Sequence, residues 1–205
     1  MTTTDRKHEI DRAIAHLKKT DKKLAAVIKQ VGRLDYHKQQ IGFNAFVRII
    51  VGQQLSGTVA DAIYKRVCRA AGCRTATITA FRKLDDASFR EAGLSYAKIR
   101  AVRDLIERID SGFLNVRRFP RMTDEEIAAT ITQVKGLGPW SAQMYLMFTL
   151  GRLDVFAAGD LGIQKGICNL YGVVRDKTDF EAFGERFRPY RTVACWYIWA
   201  SLNNR

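Results

Sequence analysis

Apolar residues recur at helical spacing through this 205-residue chain, and no stretch shows the strict alternation of a half-buried strand or an Asn-Gly hairpin signal. Ile10, Ile14 and Leu17, then Leu24, Val27, Ile28 and Val31, make two amphipathic stretches separated around Thr20-Asp21. Phe43, Phe46, Val47, Ile50 and Val51 make the next, interrupted by Gly52-Gln53-Gln54-Leu55-Ser56-Gly57; Thr58 is then placed to cap a helix carrying Val59, Ile63 and Val67 and stopping at Gly72. A short segment from Asp86 to Ala92 ends at Gly93, and Ser95 can cap a helix with the stripe Ile99, Val102, Ile106 and Ile109. Thr123 with Glu126 reads as a capping box ahead of Ile127, Ile131 and Val134, and Pro139 suits the first position of a helix through Leu150. Helices from Leu161 to Tyr171, from Asp179 to Arg188, and from Pro189-Tyr190 through Val193, Trp196, Ile198 and Trp199 complete an all-α reading. The Phe113 to Met122 linker is the one candidate boundary, and it joins elements too interdependent to separate, so residues 1–205 read as a single domain.

Charge narrows the partner. The 34 Lys and Arg exceed the 21 Asp and Glu by 13, more than an enzyme of small metabolites needs and well suited to a polyanionic backbone. The basic residues are spread along the chain, so solubilising surface charge explains them too. Met1 to Thr20 is charged throughout and no apolar run reaches the roughly 18 residues of a membrane span, which makes a cytosolic protein the expectation. Cys68, Cys73, Cys168 and Cys195 have neither zinc nor cluster spacing and read as reduced core thiols.

One turn between helices stands out: Val134-Lys135-Gly136-Leu137-Gly138-Pro139-Trp140. Its glycines permit positive φ and close backbone approach, Leu137 can plug the space between the flanking helices, and the amides opening the next helix point outward at its positive end. Such a turn can hold a phosphate, and an ordinary connection between helices has the same form. An apolar segment follows, then Asp154-Val155-Phe156-Ala157-Ala158-Gly159-Asp160, a loop that closes on an acid.

Val134 to Trp140 resembles the helix-hairpin-helix motif, and Asp154 to Asp160 resembles the loop that follows it in the helix-hairpin-helix DNA glycosylases. Ile50-Val51-Gly52-Gln53-Gln54-Leu55-Ser56, Gly93-Leu94-Ser95-Tyr96 with Lys98, and Arg188-Pro189-Tyr190-Arg191 followed by Trp199 are similar to one branch, the 3-methyladenine DNA glycosylase II family, in a compact form without the N-terminal β-rich domain of some members. The resemblance implies two helical lobes with the active-site cleft between them. It also implies a monomer acting on double-stranded DNA, in the cytoplasm with the nucleoid or in a nucleus, and releasing alkylated bases such as 3-methyladenine and 7-methylguanine.

Residue by residue, the resemblance makes Asp160 the catalytic carboxylate, stabilising positive charge on deoxyribose and helping water attack; Asp160 also reads as a plain helix N-cap. Trp140 stands where lyase relatives carry a nucleophilic lysine, so no Schiff base can form and monofunctional chemistry is expected. Trp140, Met144 and Trp199 would line the base pocket, with core packing the competing reading for each and an aromatic more usual at the Met144 position. Gln54 or Leu55 would fill the gap left by a flipped base, unless the turn is a polar loop with Leu55 tucked inward. Lys135, Gly136 and Gly138 would meet phosphate, helped by Lys98, Lys165 and Arg191 unless those three are solvated surface. The carbonyls of Thr132, Val134 and Leu137 would hold a structural Na+ or K+, with no cofactor needed for catalysis. A non-catalytic helix-hairpin-helix DNA-binding module, and a glycosylase of the superfamily for oxidised or mismatched bases, are the alternatives.

Overall fold

The computed structural model describes residues 3–34 and 41–202, and no strand occurs among them. The α-helices are α1 (Thr3–Thr20), α2 (Lys22–Val31), α3 (Phe43–Gly52), α4 (Gly57–Ala70), α5 (Ile78–Lys83), α6 (Asp86–Glu91), α7 (Tyr96–Asp110), α8 (Asp124–Ile131), α9 (Pro139–Met144), α10 (Leu161–Tyr171), α11 (Phe180–Gly184) and α12 (Arg191–Ala200). Residues up to 37 and from Gly151 onward form one compact unit, and residues 38 to Leu150 form a second. The division does not fall at Phe113–Met122, which lies wholly inside the second unit and carries a 3-10 turn at Phe119–Arg121.

In the first unit α12 packs on α1, α2 and α10. Its buried Val193, Ala194, Tyr197 and Ile198 meet the stripes Ile10, Ala13 and Leu17 of α1, Leu24, Val27 and Ile28 of α2, and Ile163 and Ile167 of α10. The α1–α2 break falls at Asp21, whose carboxylate accepts from Leu24 N–H at 2.9 Å, as an N-cap should. Gly166 lets α10 approach α12 closely: a β-carbon there would sit 2.4 Å from Ile198 Cγ2.

In the second unit a ring cluster anchors the core. Tyr145 stacks on Phe46 with centroids 4.4 Å apart and meets Phe119 edge-on at 5.6 Å, while Phe81 makes edge contacts with Phe43 and Phe89. The predicted helix from Pro139 through Leu150 is α only to Met144; Tyr145–Leu150 is π-helical. Nearly every residue from Met144 to Leu150 is apolar, so the pattern has no polar face from which a wider turn could be read.

Three smaller differences are local. Ser56, not Thr58, occupies the N-cap of α4, because the helix already begins at Gly57. The one-and-a-half-turn α5, capped by Thr77 through Ala80 N–H, is too short to show a period. The predicted Asp179–Arg188 helix is α over Phe180–Gly184 and 3-10 over Glu185–Phe187. All four cysteines are free thiols, but only Cys68 and Cys195 are buried; Cys73 and Cys168 are partly exposed and so are not core residues. Burial pushes the Cys195 thiol up to about 12.

Candidate functional site

In the second unit the turn after α8 is built from its neighbours. Thr123 and Glu126 form the predicted reciprocal capping box at the start of α8, and the chain leaves that helix at Thr132. Leu137 N–H donates to Val134 C=O at 3.0 Å, with Gly136 at φ 77°, the left-handed third position that a turn of this kind demands. A β-carbon on Gly136 would also lie 3.2 Å from that of Ala101, a tight contact on top of the positive φ. Val134 and Leu137 are buried as the plug between helices, while Lys135 and Gly136 are exposed. Gly138 caps α9 and Pro139 opens it. Trp140 is half-buried on its first turn; Met144, one turn on, is 7% exposed and packs as a core residue.

Asp104 ties this hairpin to α7. It lies on the side of the helix away from Val102, yet the hairpin covers it, leaving it 7% exposed. Oδ2 accepts from Lys135 N–H at 2.9 Å and from Arg108 Nε at 2.8 Å, and the Lys135 ammonium lies 3.7 Å from Oδ1. Burial by itself would raise this carboxyl, but the Lys135 amide together with the Arg108 and Lys135 charges outweighs it and holds Asp104 below the usual carboxylate range. The i,i+4 spacing to Arg108 is the only local signal at Asp104; the Lys135 amide that it accepts from is 31 residues away.

The polar turn after α3 is exposed. Gln54 and Leu55 are both exposed, Leu55 to 38%, so Leu55 is not tucked inward. Gln54 has φ 58° and is the only non-glycine residue with positive φ among those described, a conformation that costs about 1–3 kcal/mol and needs outside support. Gln53 supplies some: its Nε2 donates to Gly136 C=O at 2.8 Å and to Ser141 Oγ at 3.2 Å. Lys98 supplies more, donating to Val51 C=O at 2.8 Å and Gln53 C=O at 2.9 Å. Lys98 is therefore neither solvated surface nor turned out toward a phosphate; desolvation lowers its pKa.

In the first unit the loop to Asp160 is held from both ends by α12. Arg191 Nε donates to Asp154 Oδ1 at 2.9 Å and its Nη1 to Glu185 at 2.9 Å, leaving the guanidinium 15% exposed and committed to these acids rather than to phosphate. Thr192 Oγ1 accepts from Val155 N–H at 3.0 Å and donates to Arg152 C=O at 2.8 Å. Val155 to Ala158 are buried, and the chain emerges at Asp160. Asp160 is the N-cap of α10: Oδ1 accepts from Ile163 N–H at 2.9 Å. The same oxygen accepts from Trp199 Nε1 at 2.8 Å. Trp199, expected in a base pocket, thus orients a carboxylate through its indole N–H. It reaches Asp160 across Gly162, where a β-carbon would meet Trp199 Cδ1 at 3.0 Å. Lys165 is exposed on α10.

The fold brings together Asp160 with Trp199 in one unit, and the hairpin with the wedge turn in the other. Sequence reasoning missed Asp104, Thr192, Gly162 and the linking role of Gln53; Gln53 left a signal as part of a quoted motif, and Asp104 in its spacing to Arg108.

The protein-family comparison matches residues 47–189 to the HhH-GPD superfamily of base excision DNA repair proteins. DNA-3-methyladenine glycosylase 1 of Schizosaccharomyces pombe is 29% identical over 197 residues, covering 93% of this chain and 86% of that protein. The S. pombe 3-methyladenine DNA glycosylase in complex with abasic DNA is similar in structure with a TM-score of 0.84 at 27% identity, over 94% of this chain and 97% of that one. The DNA-3-methyladenine glycosidase of Bacillus halodurans has a TM-score of 0.74 at 33% identity, over 95% of this chain and 89% of that one.

Proposed function

Given that the chain belongs to the HhH-GPD superfamily of base excision DNA repair proteins, we propose that it is a monofunctional DNA glycosylase hydrolysing the N-glycosidic bond of alkylated bases, of the 3-methyladenine and 7-methylguanine type, in double-stranded DNA. The observation that carries this reading is Asp160, a carboxylate fixed through Oδ1 by an indole N–H and a helix-opening amide. As the bond from C1′ to the base nitrogen breaks, its electron pair leaves with the base. Positive charge grows on the sugar, and a pre-oriented carboxylate stabilises it without reorganising. Water then adds at C1′ and loses its proton toward Asp160, leaving an intact abasic site.

The other residues take supporting roles. Trp140 offers an aromatic face to a cationic methylated purine, worth about 0.5–2 kcal/mol, and no amine for lyase chemistry. Met144, one helical turn on and buried, would supply an adaptable wall. Gln54 and Leu55, both exposed, are the candidate wedge. Lys135 and the backbone at Gly136 and Gly138 grip phosphate. The carbonyls of Thr132, Val134 and Leu137 suit a monovalent Na+ or K+: they are neutral oxygen donors on one turn, and the Val134 carbonyl keeps a second lone pair beside its bond to Leu137 N–H. Such an ion would add local positive charge beside the phosphate-binding backbone. The protein acts as a monomer on DNA, and no helix among the described residues is long and apolar enough to cross a membrane.

A second reading, a DNA-binding module without catalysis, draws on the N-cap role of Asp160. Asp160→Asn separates the two, because asparagine caps a helix as well as aspartate but carries no charge. Base release from methylated DNA should fall by about 100- to 1000-fold with the melting temperature nearly unchanged. Equal release by variant and wild type would refute the mechanism, and no release by either, with DNA binding intact, would favour the module.

A further inference from the structure

The wedge turn and the phosphate hairpin come from segments more than 80 residues apart, yet one side chain spans them. The Gln53 amide bonds Gly136 C=O, the exposed apex of the hairpin, at 2.8 Å, and Ser141 Oγ in α9 at 3.2 Å. A carbonyl accepts only from a donor, so the amide nitrogen must face Gly136. On the other side, Lys98 from α7 caps the end of α3, with its ammonium on the Val51 and Gln53 carbonyls at 2.8 and 2.9 Å, where the helix dipole is negative. Gln54, next in the chain, takes the left-handed conformation. With its neighbours pinned, that backbone conformation fixes the direction of the Gln54 Cα–Cβ bond.

We infer that Gln53 and Lys98 are positioning residues that join the Gln53–Leu55 turn to the Gly136–Gly138 hairpin as one rigid piece, so that gripping the DNA backbone and wedging the base stack occur together. The inference rests on the proposed glycosylase reading. It assigns Lys98 to the protein's own backbone instead of to DNA. Desolvation of Lys98 is consistent with this: its charge is spent on two carbonyls.

Salt dependence and base stacking give independent readouts. The probe is a duplex holding a tetrahydrofuran abasic analogue beside 2-aminopurine, whose fluorescence rises when a wedge unstacks it. Each lost phosphate contact lowers the slope of log K against log salt by about 0.9. Gln53→Ala and Lys98→Met are expected to keep the wild-type slope while the equilibrium constant for wedge insertion drops about fivefold, the worth of one hydrogen bond of about 1 kcal/mol, and the saturated fluorescence rise falls with it. Lys98→Arg, which still donates to both carbonyls, should recover the rise, and Gln53→Glu, which presents an acceptor to Gly136 C=O, should not. Gln53 is half-buried, so Gln53→Ala keeps the test valid if Lys98→Met does not fold. A slope lowered by about one in Lys98→Met would make it a phosphate contact and overturn the inference, as would an undiminished rise in Gln53→Ala. Wild-type protein that neither releases methylated bases nor brightens the probe would overturn the glycosylase reading along with it; a bright wild type matched by Gln53→Ala overturns the positioning role alone.

Discussion

Trp199 Nε1 donates to Asp160 Oδ1 at 2.8 Å, across the α-carbon of Gly162. The bond spans 39 residues and gives the candidate catalytic carboxylate a second anchor besides its own helix. Trp199→Phe keeps an aromatic ring and removes the donor. Base release should fall about tenfold, in proportion to a lost charge-assisted hydrogen bond of about 1.5 kcal/mol, with DNA affinity unchanged; single-turnover assays beside binding titrations check this.

The two close glycines of α10 should separate stability from activity. Gly166→Ala drives a methyl to within 2.4 Å of Ile198 and should cost about 1–3 kcal/mol of stability in denaturant unfolding. Gly162→Ala meets the edge of Trp199 at 3.0 Å, so it should displace the indole from Asp160 and lose more activity than stability.

Asp104 makes a pH prediction with a definite sign. Its folded pKa lies below the ordinary carboxylate value, so its contribution is fully present above about pH 4 and is lost as pH falls through the depressed folded value. Asp104→Asn should lower the melting temperature at pH 7 and flatten its fall below about pH 4, measured by calorimetry across the acid limb. A parallel acid limb in variant and wild type would contradict the assignment.

Lys135 and Arg191 should part company on salt. Lys135 is 76% exposed at the hairpin, and Lys135→Met should lower the salt slope of DNA binding by about 0.9. Arg191 is committed to Asp154 and Glu185, so Arg191→Met should leave the slope alone and lower thermal stability instead.

Between the two wedge candidates, exposure alone does not choose. Leu55→Ala and Gln54→Ala, compared in the 2-aminopurine assay, should differ. The wedge is the residue whose truncation abolishes the rise without changing the salt slope.

Much of this protein was legible because its signals are local. Ser95 and the Thr123–Glu126 pair bond amides within three residues of themselves, so capping chemistry alone located those helix starts, while the break at Asp21 was legible from the apolar spacing. Gly136 and Leu137 behaved as a turn and a plug for the same reason. Local rules failed where several answers satisfied them: Ser56 and Thr58 both suit a cap, and an apolar run from Met144 to Leu150 suits an α- or a π-turn equally.

Taken alone, then, the chain determines an all-α fold, most of its helix starts, the hairpin and the acid that follows it, because helix periodicity, caps and glycine turns are written within a few residues of where they act; the superfamily came from the resemblance of its ordered motifs. Tertiary structure decided what each polar residue is committed to. Lys98, Arg191 and Lys165 look alike in sequence, yet one caps a helix, one anchors an acidic loop and one is exposed. Asp104 and Asp160 are each defined by a partner more than 30 residues away. A charged side chain is satisfied by whichever complementary group the fold brings within about 3 Å, and that distance exists only once the chain has packed.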